Sequence, residues 1–161
     1  NTTKEVIAEG GTADFISPVN GEVLPLSESA DEAFASEALG KGAVIIPEEG
    51  IVRAPFDATV AALFPTNHAI CLEGTNGVEM MIHIGIDTVK MDGKGFQSFV
   101  SQDDVVKAGD KLIAFDMNAI REAGYSEQTM VIITNTDDFS DVSVDAGKKT
   151  DGTDKPIHIS K

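Results

Sequence analysis

The sequence predicts an all-β domain: an antiparallel β-sandwich or barrel with duplicated hairpin units and one or two short helical turns. Three observations carry that expectation. Short apolar runs, several of them alternating, are separated by Gly, Pro and Asn-Gly punctuation along the whole 161 residues. Fifteen glycines with few aromatics and no tryptophan suit many short strands joined by tight turns. A faint internal repeat joins them: Pro18, Gly21 and Val23 are followed 37 residues later by Pro55, Ala58 and Val60.

Residues 1–10 read as a loose polar leader, residues 11–147 as the domain, and residues 148–161 as a polar C-terminal segment. Phe15 to Val23 forms two short strands around a Pro-Val-Asn-Gly turn, and Val52 to Val60 is its counterpart. Between them, Asp31 is placed to cap a short helix that Gly40 ends, with Phe34, Ala38 and Leu39 at helical spacing. Ala43 to Ile46 is a strand stopped by Pro47, and Thr59 to Phe64 is a strand ended by Pro65. Residues 65–68 turn into a strand beginning near Ala69, with His68 at its mouth.

Asn76-Gly77 is a strong hairpin signal and feeds a strongly apolar strand, Val78 to Ile84. Alternation turns Val78, Met80, Ile82 and Ile84 to the core and Glu79, Met81 and His83 away from it. Further strands are expected over 96–100, 105–108, 111–116, 129–134 and 142–144, with a short helix from Met117 to Ala123 closed by Gly124. His158, in the polar remainder, reads as a solvated tail residue.

Charge and composition exclude several function classes. With 27 acidic and 12 basic residues the net charge is −15, which repels nucleic acid and anionic membrane and favours a basic protein partner or plain solubility. A single cysteine, Cys71, rules out an intramolecular disulfide and fits a reducing, cytoplasmic setting. No apolar run approaches the ~20 residues of a membrane helix, and the start carries no signal-peptide core. The first residue is not methionine, as expected of a segment cut from a longer chain, which could be tethered to a membrane permease.

Chemistry must then come from the histidines. His83 alone reads as a half-buried structural residue, unless the turn brings His68 to the same end of the sheet. A pair of imidazoles admits two readings. With a carboxylate it could hold zinc with an open position, although the His-x-His spacing common in β-sandwich metallohydrolases is absent and no third ligand is evident. Alternatively it could relay a phosphoryl group, since neutral imidazole is a good nucleophile near pH 7 and needs only a fixed tautomer and a second donor. Cysteine pairs for zinc, a phosphate-cradling glycine loop and a Gly-x-Ser-x-Gly elbow are all missing.

At this point the residues match a pattern. Ile82 to Lys90, then Gly93-Lys94-Gly95-Phe96, then Val105 to Leu112, with Pro65 to Ile70 as a second motif, resemble the glucose-family IIA domain of the bacterial phosphoenolpyruvate-dependent sugar phosphotransferase system. Pro18 with Gly21, and Gly50 to Pro55, match its early strands, so the resemblance spans about residues 10–145. It implies an antiparallel β-sandwich in which His83 accepts phosphate on Nε2 from the carrier HPr and passes it to a cysteine of a IIB domain. It further implies that His68 steadies the phosphoryl group, that Thr66 orients His68, and that the Gly85 carbonyl holds His83 Nδ1. Phe34, Phe64, Met81 and Val89 would form an apolar docking collar, with Asp31 and Asp87 meeting a basic residue of HPr.

No cofactor or metal is required, zinc at His68 and His83 would be adventitious, and the isolated domain is expected to be monomeric. A phosphorylation-gated regulatory module acting on transporters or enzymes is the alternative, and a zinc hydrolase a distant third. Departures from the family pattern are Met81 for leucine or phenylalanine, Cys71 and Asp103 for glycine, and Met130 for proline. The Val89-Lys90-Met91 run also resembles biotinyl or lipoyl carriers, but the chain is about twice their length, and Lys90 reads as a solvated lysine.

Overall fold

A computed structural model describes residues 6–161. In chain order the elements are β1 (Thr12–Phe15), β2 (Gly21–Pro25), α1 (Glu32–Ala35), β3 (Lys41–Pro47), β4 (Ile51–Arg53), β5 (Ala58–Leu63), β6 (Ala69–Gly74) and β7 (Glu79–Ile84). They continue as β8 (Phe96–Ser98), β9 (Val105–Val106), β10 (Lys111–Phe115), α2 (Met117–Glu122), β11 (Thr129–Ile133), β12 (Asp141–Val144), β13 (Lys148–Thr150) and β14 (Ile157–Ser160). Short 3-10 turns cover Leu26–Glu28, Thr88–Met91 and Thr136–Asp138.

All the pairings are antiparallel. An eight-stranded sheet runs β13-β2-β3-β11-β7-β6-β5-β9, and two three-stranded sheets, β1-β14-β12 and β4-β10-β8, pack against its inner face. The core lies between these layers, where Val23, Val60, Ile70, Leu72, Met80 and Ile82 meet Phe15, Val52, Ile113 and Ile159. Alternation on β7 behaves as expected: Met80, Ile82 and Ile84 are at most 1 % exposed, while Glu79, Met81 and His83 face outward. Asn76-Gly77 closes the β6–β7 hairpin, with Gly77 at φ +89°.

The repeat in the sequence corresponds to a pseudo-two-fold arrangement of the whole sandwich. Counted inward from its two edges, the large sheet pairs β13 with β9, β2 with β5, β3 with β6 and β11 with β7, and the small sheets correspond strand for strand. One half, β4 to β10, is continuous; the other, β1 to β3 and β11 to β14, is split around it. Each copy of the repeat is a corner between sheets: β1 and β4 belong to small sheets, whereas β2 and β5 belong to the large one.

Four segments differ from the sequence reading. Residues 6–10 are no loose leader, because Ile7 is buried and its amide donates to the Asn76 carbonyl at 3.2 Å; residues 1–5 lie outside the described residues. The helix capped by Asp31 stops at Ser36, ahead of Glu37 at φ +62°, so Leu39 is exposed and only Phe34 is buried. Gly40 instead serves the approach to β3, where a Cβ would collide with the Ile133 carbonyl. Residues 148–161 are not a free tail. β13 pairs with β2, and β14 is the central strand of its sheet, with Ile157 and Ile159 in the core. A four-residue strand behind Pro156 is too short to stand out from its polar surroundings.

Candidate active site

His83 and His68 meet on the outer face of the large sheet. Ala69 is the register partner of His83, so the first residue of β6 comes alongside the second-last position of β7, and the Ile84 amide donates to the His68 carbonyl at 2.7 Å. The two rings lie 5.0 Å apart, edge to face. The hairpin thus joins the imidazoles that alternation alone left separate.

Each ring is held through one nitrogen. His83 Nδ1 lies 2.9 Å from the Gly85 carbonyl, which can only accept, so Nδ1 carries the proton and Nε2 keeps its lone pair. His68 Nδ1 is 2.5 Å from the Thr66 hydroxyl. The sequence chooses Gly85 for steric reasons: its φ is +79°, and a Cβ there would run into Thr88 and come within 2.9 Å of the Ser126 carbonyl. Thr88, fully buried, donates its hydroxyl to the Ile84 carbonyl and so underpins the same turn.

Both imidazoles are kept neutral at ordinary pH. Burial, and then the charge of His83, push His68 down to about 4. Burial also lowers His83, but the Gly85 carbonyl, Asp31 and Asp87 pull against it. The pair therefore offers an uncharged nucleophile, and the groups around His83 are those that would steady positive charge arising on its ring.

Two of the four residues expected in the collar, Phe34 and Phe64, lie against the histidine rings. The Phe34 ring lies 5.1 Å from the His83 ring, and Phe64 stands edge-on to His68 at 5.4 Å. Met81 shares the outward face of β7, and Val89, 49 % exposed, sits on the Thr88–Met91 turn. Asp31 caps α1 by accepting from the Ala33 amide, and Asp87 is exposed at φ +61°, heading the next turn. Lys90 is exposed, as read. Asp103 takes φ +74°, the left-handed geometry that glycine favours and aspartate tolerates. Met130 is fully buried, and Cys71 is half-exposed beside Met81, its thiol pKa raised by burial.

Sequence reading did not find Thr88, nor the segment 126–128 that brackets the Gly85 turn. Ser126 and Gln128 are 40 or more residues away, and no local periodicity marks such a contact. His158 also departs from expectation: Nδ1 meets Asp14 at 2.6 Å and Nε2 meets Asp145 at 2.9 Å, and these hydrogen bonds raise its pKa. Among the described residues no group of three His, Cys, Asp or Glu is placed to hold a metal ion, and no helix is long and apolar enough to cross a membrane.

By fold this is a IIA-type β-sandwich: it is similar to glucose permease IIA from Mycoplasma capricolum, with a TM-score of 0.80 at 34% identity over 91% of this chain and 95% of that one. Residues 13–139 match the model of the phosphoenolpyruvate-dependent sugar phosphotransferase system EIIA 1 family, and the chain belongs to that family of phosphocarriers. It is 44% identical over 83% of its length to the glucose-specific EIIA component of Bacillus cereus, covering 81% of that protein. It is 49% identical over 85% of its length to the beta-glucoside-specific EIIBCA component of Dickeya chrysanthemi, of which it spans only 22%.

Proposed function

We propose that His83 Nε2 takes a phosphoryl group from phosphorylated HPr and yields it to the cysteine of a IIB domain during sugar uptake. The observation that carries this is the tautomer lock, Nδ1–H on the Gly85 carbonyl at 2.9 Å, which leaves Nε2 as the free nucleophile in a neutral pair. In the forward step the Nε2–P bond forms as the donor's N–P bond breaks. The ring keeps its Nδ1 proton and becomes cationic, and the Gly85 carbonyl, Asp31 and Asp87 favour that charge. If the Thr66 hydroxyl donates to His68 Nδ1, His68 presents Nε2–H to the phosphoryl oxygens. Phe34, Phe64, Met81 and Val89 supply apolar docking area, and Asp31 and Asp87 a basic residue's counter-charge.

A second reading rests on Phe34 lying so close to His83. A dianion placed there changes what the collar accepts, so phosphorylation can also gate docking onto transporters or enzymes. One experiment tests the main reading. Phosphoenolpyruvate, enzyme I and HPr should label the chain with acid-labile, base-stable phosphate, His83→Ala should abolish the label, and His68→Gln should accept it but donate about 100-fold more slowly. Labelling of His83→Ala, or unimpaired donation by His68→Gln, overturns the assigned roles.

A further inference from the structure

Gln128 is placed where the phosphoacceptor turn and the docking segment meet. Its main-chain carbonyl accepts from the Gly85 amide at 2.8 Å, and the neighbouring Ser126 carbonyl accepts from the Ile86 amide at 3.0 Å. The second bond matters for chemistry. The Gly85–Ile86 peptide is trans, so an N–H fixed on Ser126 aims the opposite Gly85 carbonyl back toward His83.

The side chain of Gln128 reaches the other way. Its Oε1 accepts from the Ala30 amide at 2.9 Å, and its Nε2 donates to the Glu28 carbonyl at 3.5 Å. Those two groups lie in the crossing from β2 to α1, immediately before Asp31, whose own amide donates to Ser29 Oγ at 3.2 Å. Three residues further on is Phe34, with its ring against His83. One residue therefore binds the turn that orients the nucleophile through its main chain, and the segment that stands over the nucleophile through its amide.

We propose that Gln128 is a positioning residue for phosphoryl transfer, its carboxamide fixing the 28–31 segment so that Asp31 and Phe34 keep their places beside His83. This rests on the phosphocarrier reading above. The amide suits the task because the main-chain groups facing it are one donor and one acceptor. Leucine has similar bulk and answers neither; glutamate answers only the Ala30 amide.

The test compares Gln128→Leu and Gln128→Glu with the unaltered chain in two measurements. The first is the rate of labelling as a function of phosphorylated HPr concentration. Q128L should raise the half-saturating concentration about tenfold, with the limiting rate within about twofold, because docking geometry is lost while the nucleophile and its Gly85 contact remain. Q128E should fall between. The second is the NMR position of the His83 ring protons, which the Phe34 ring current shifts. Q128L should move them toward values of a Phe34→Leu variant, and Q128E less so.

Unmoved His83 resonances with an unchanged half-saturating concentration overturn the role of Gln128. So does a loss of stability alone, seen as a lower urea midpoint with both readouts unchanged. Should Q128L not fold, Q128E decides by the same two readouts. Failure of the unaltered chain to label overturns the phosphocarrier reading instead, and the resonance comparison still reports whether Gln128 positions Phe34.

Discussion

The two pseudo-symmetric halves treat the outer face of the large sheet in opposite ways. Register relates Gly21 to Ala58, Pro47 to Gly74 and Ile45 to Leu72, hence Thr129 to Met80 and Ile132 to His83. In the split half the β2–β3 connection is long, residues 26–40, and lays Leu26 and Phe34 over Val44, Met130 and Ile132 as a second apolar cluster. In the continuous half the β5–β6 connection is short, residues 64–68, and leaves Met81, Cys71 and His83 part-exposed. One half thus buries at Ile132 what the other offers at His83. Phe34 belongs to both, lying in the apolar cluster and setting its ring against that of His83.

The largest effect that would break this comparison is on stability. Ile132→Ala opens a fully buried site and should cost about 2–5 kcal/mol by urea denaturation, whereas Met81→Ala should cost under ~1 kcal/mol and act instead on docking. Equal costs at the two positions would mean that the outer faces are packed alike.

The histidines sharpen the contrast through pH. His68, held down to about 4, prefers to be neutral, so protonation favours the unfolded chain. Stability should fall as pH drops from about 6.5 toward 4, by on the order of 1–3 kcal/mol, and His68→Gln should flatten that slope. His158 behaves in the opposite sense, because Asp14 and Asp145 raise its pKa. Its contribution is fully present below the ordinary histidine value and is lost as pH rises through the folded one. The side chain is 36 % exposed, so screening limits the effect to a few tenths of a kcal/mol, read as the pH slope removed by His158→Gln.

Legibility from sequence divides along the same lines. Alternation on β7 placed His83 outward, and the Asn-Gly turn allowed His68 to come to the same end of the sheet, because both signals are local; that the two rings meet was not legible. The Pro18/Pro55 repeat indicated duplication, but not that each copy is a corner, since whether a strand pairs across a turn depends on partners far away in the chain. β14 shows the difficulty most plainly: its register partners are Thr12–Phe15 and Asp141–Val144, and only they reveal His158 as a bound residue. The amide of Gln128 likewise reaches across 98 residues to Ala30, a distance no periodicity reports.

The pairing of β1 with β14 sets Thr12 opposite Ser160, in a small sheet on the side of the sandwich away from the histidines. The first and last strands of the domain therefore lie side by side, on the far side of the sandwich from the histidines. A polypeptide continuing from the last strand would act as a leash that starts on the side of the sandwich opposite His83. A partner on such a leash would meet the site at an effective concentration of roughly millimolar. The same neighbourhood makes the domain open to circular permutation, with a loop joining residue 161 to the segment that carries the buried Ile7 and a new break in an exposed turn.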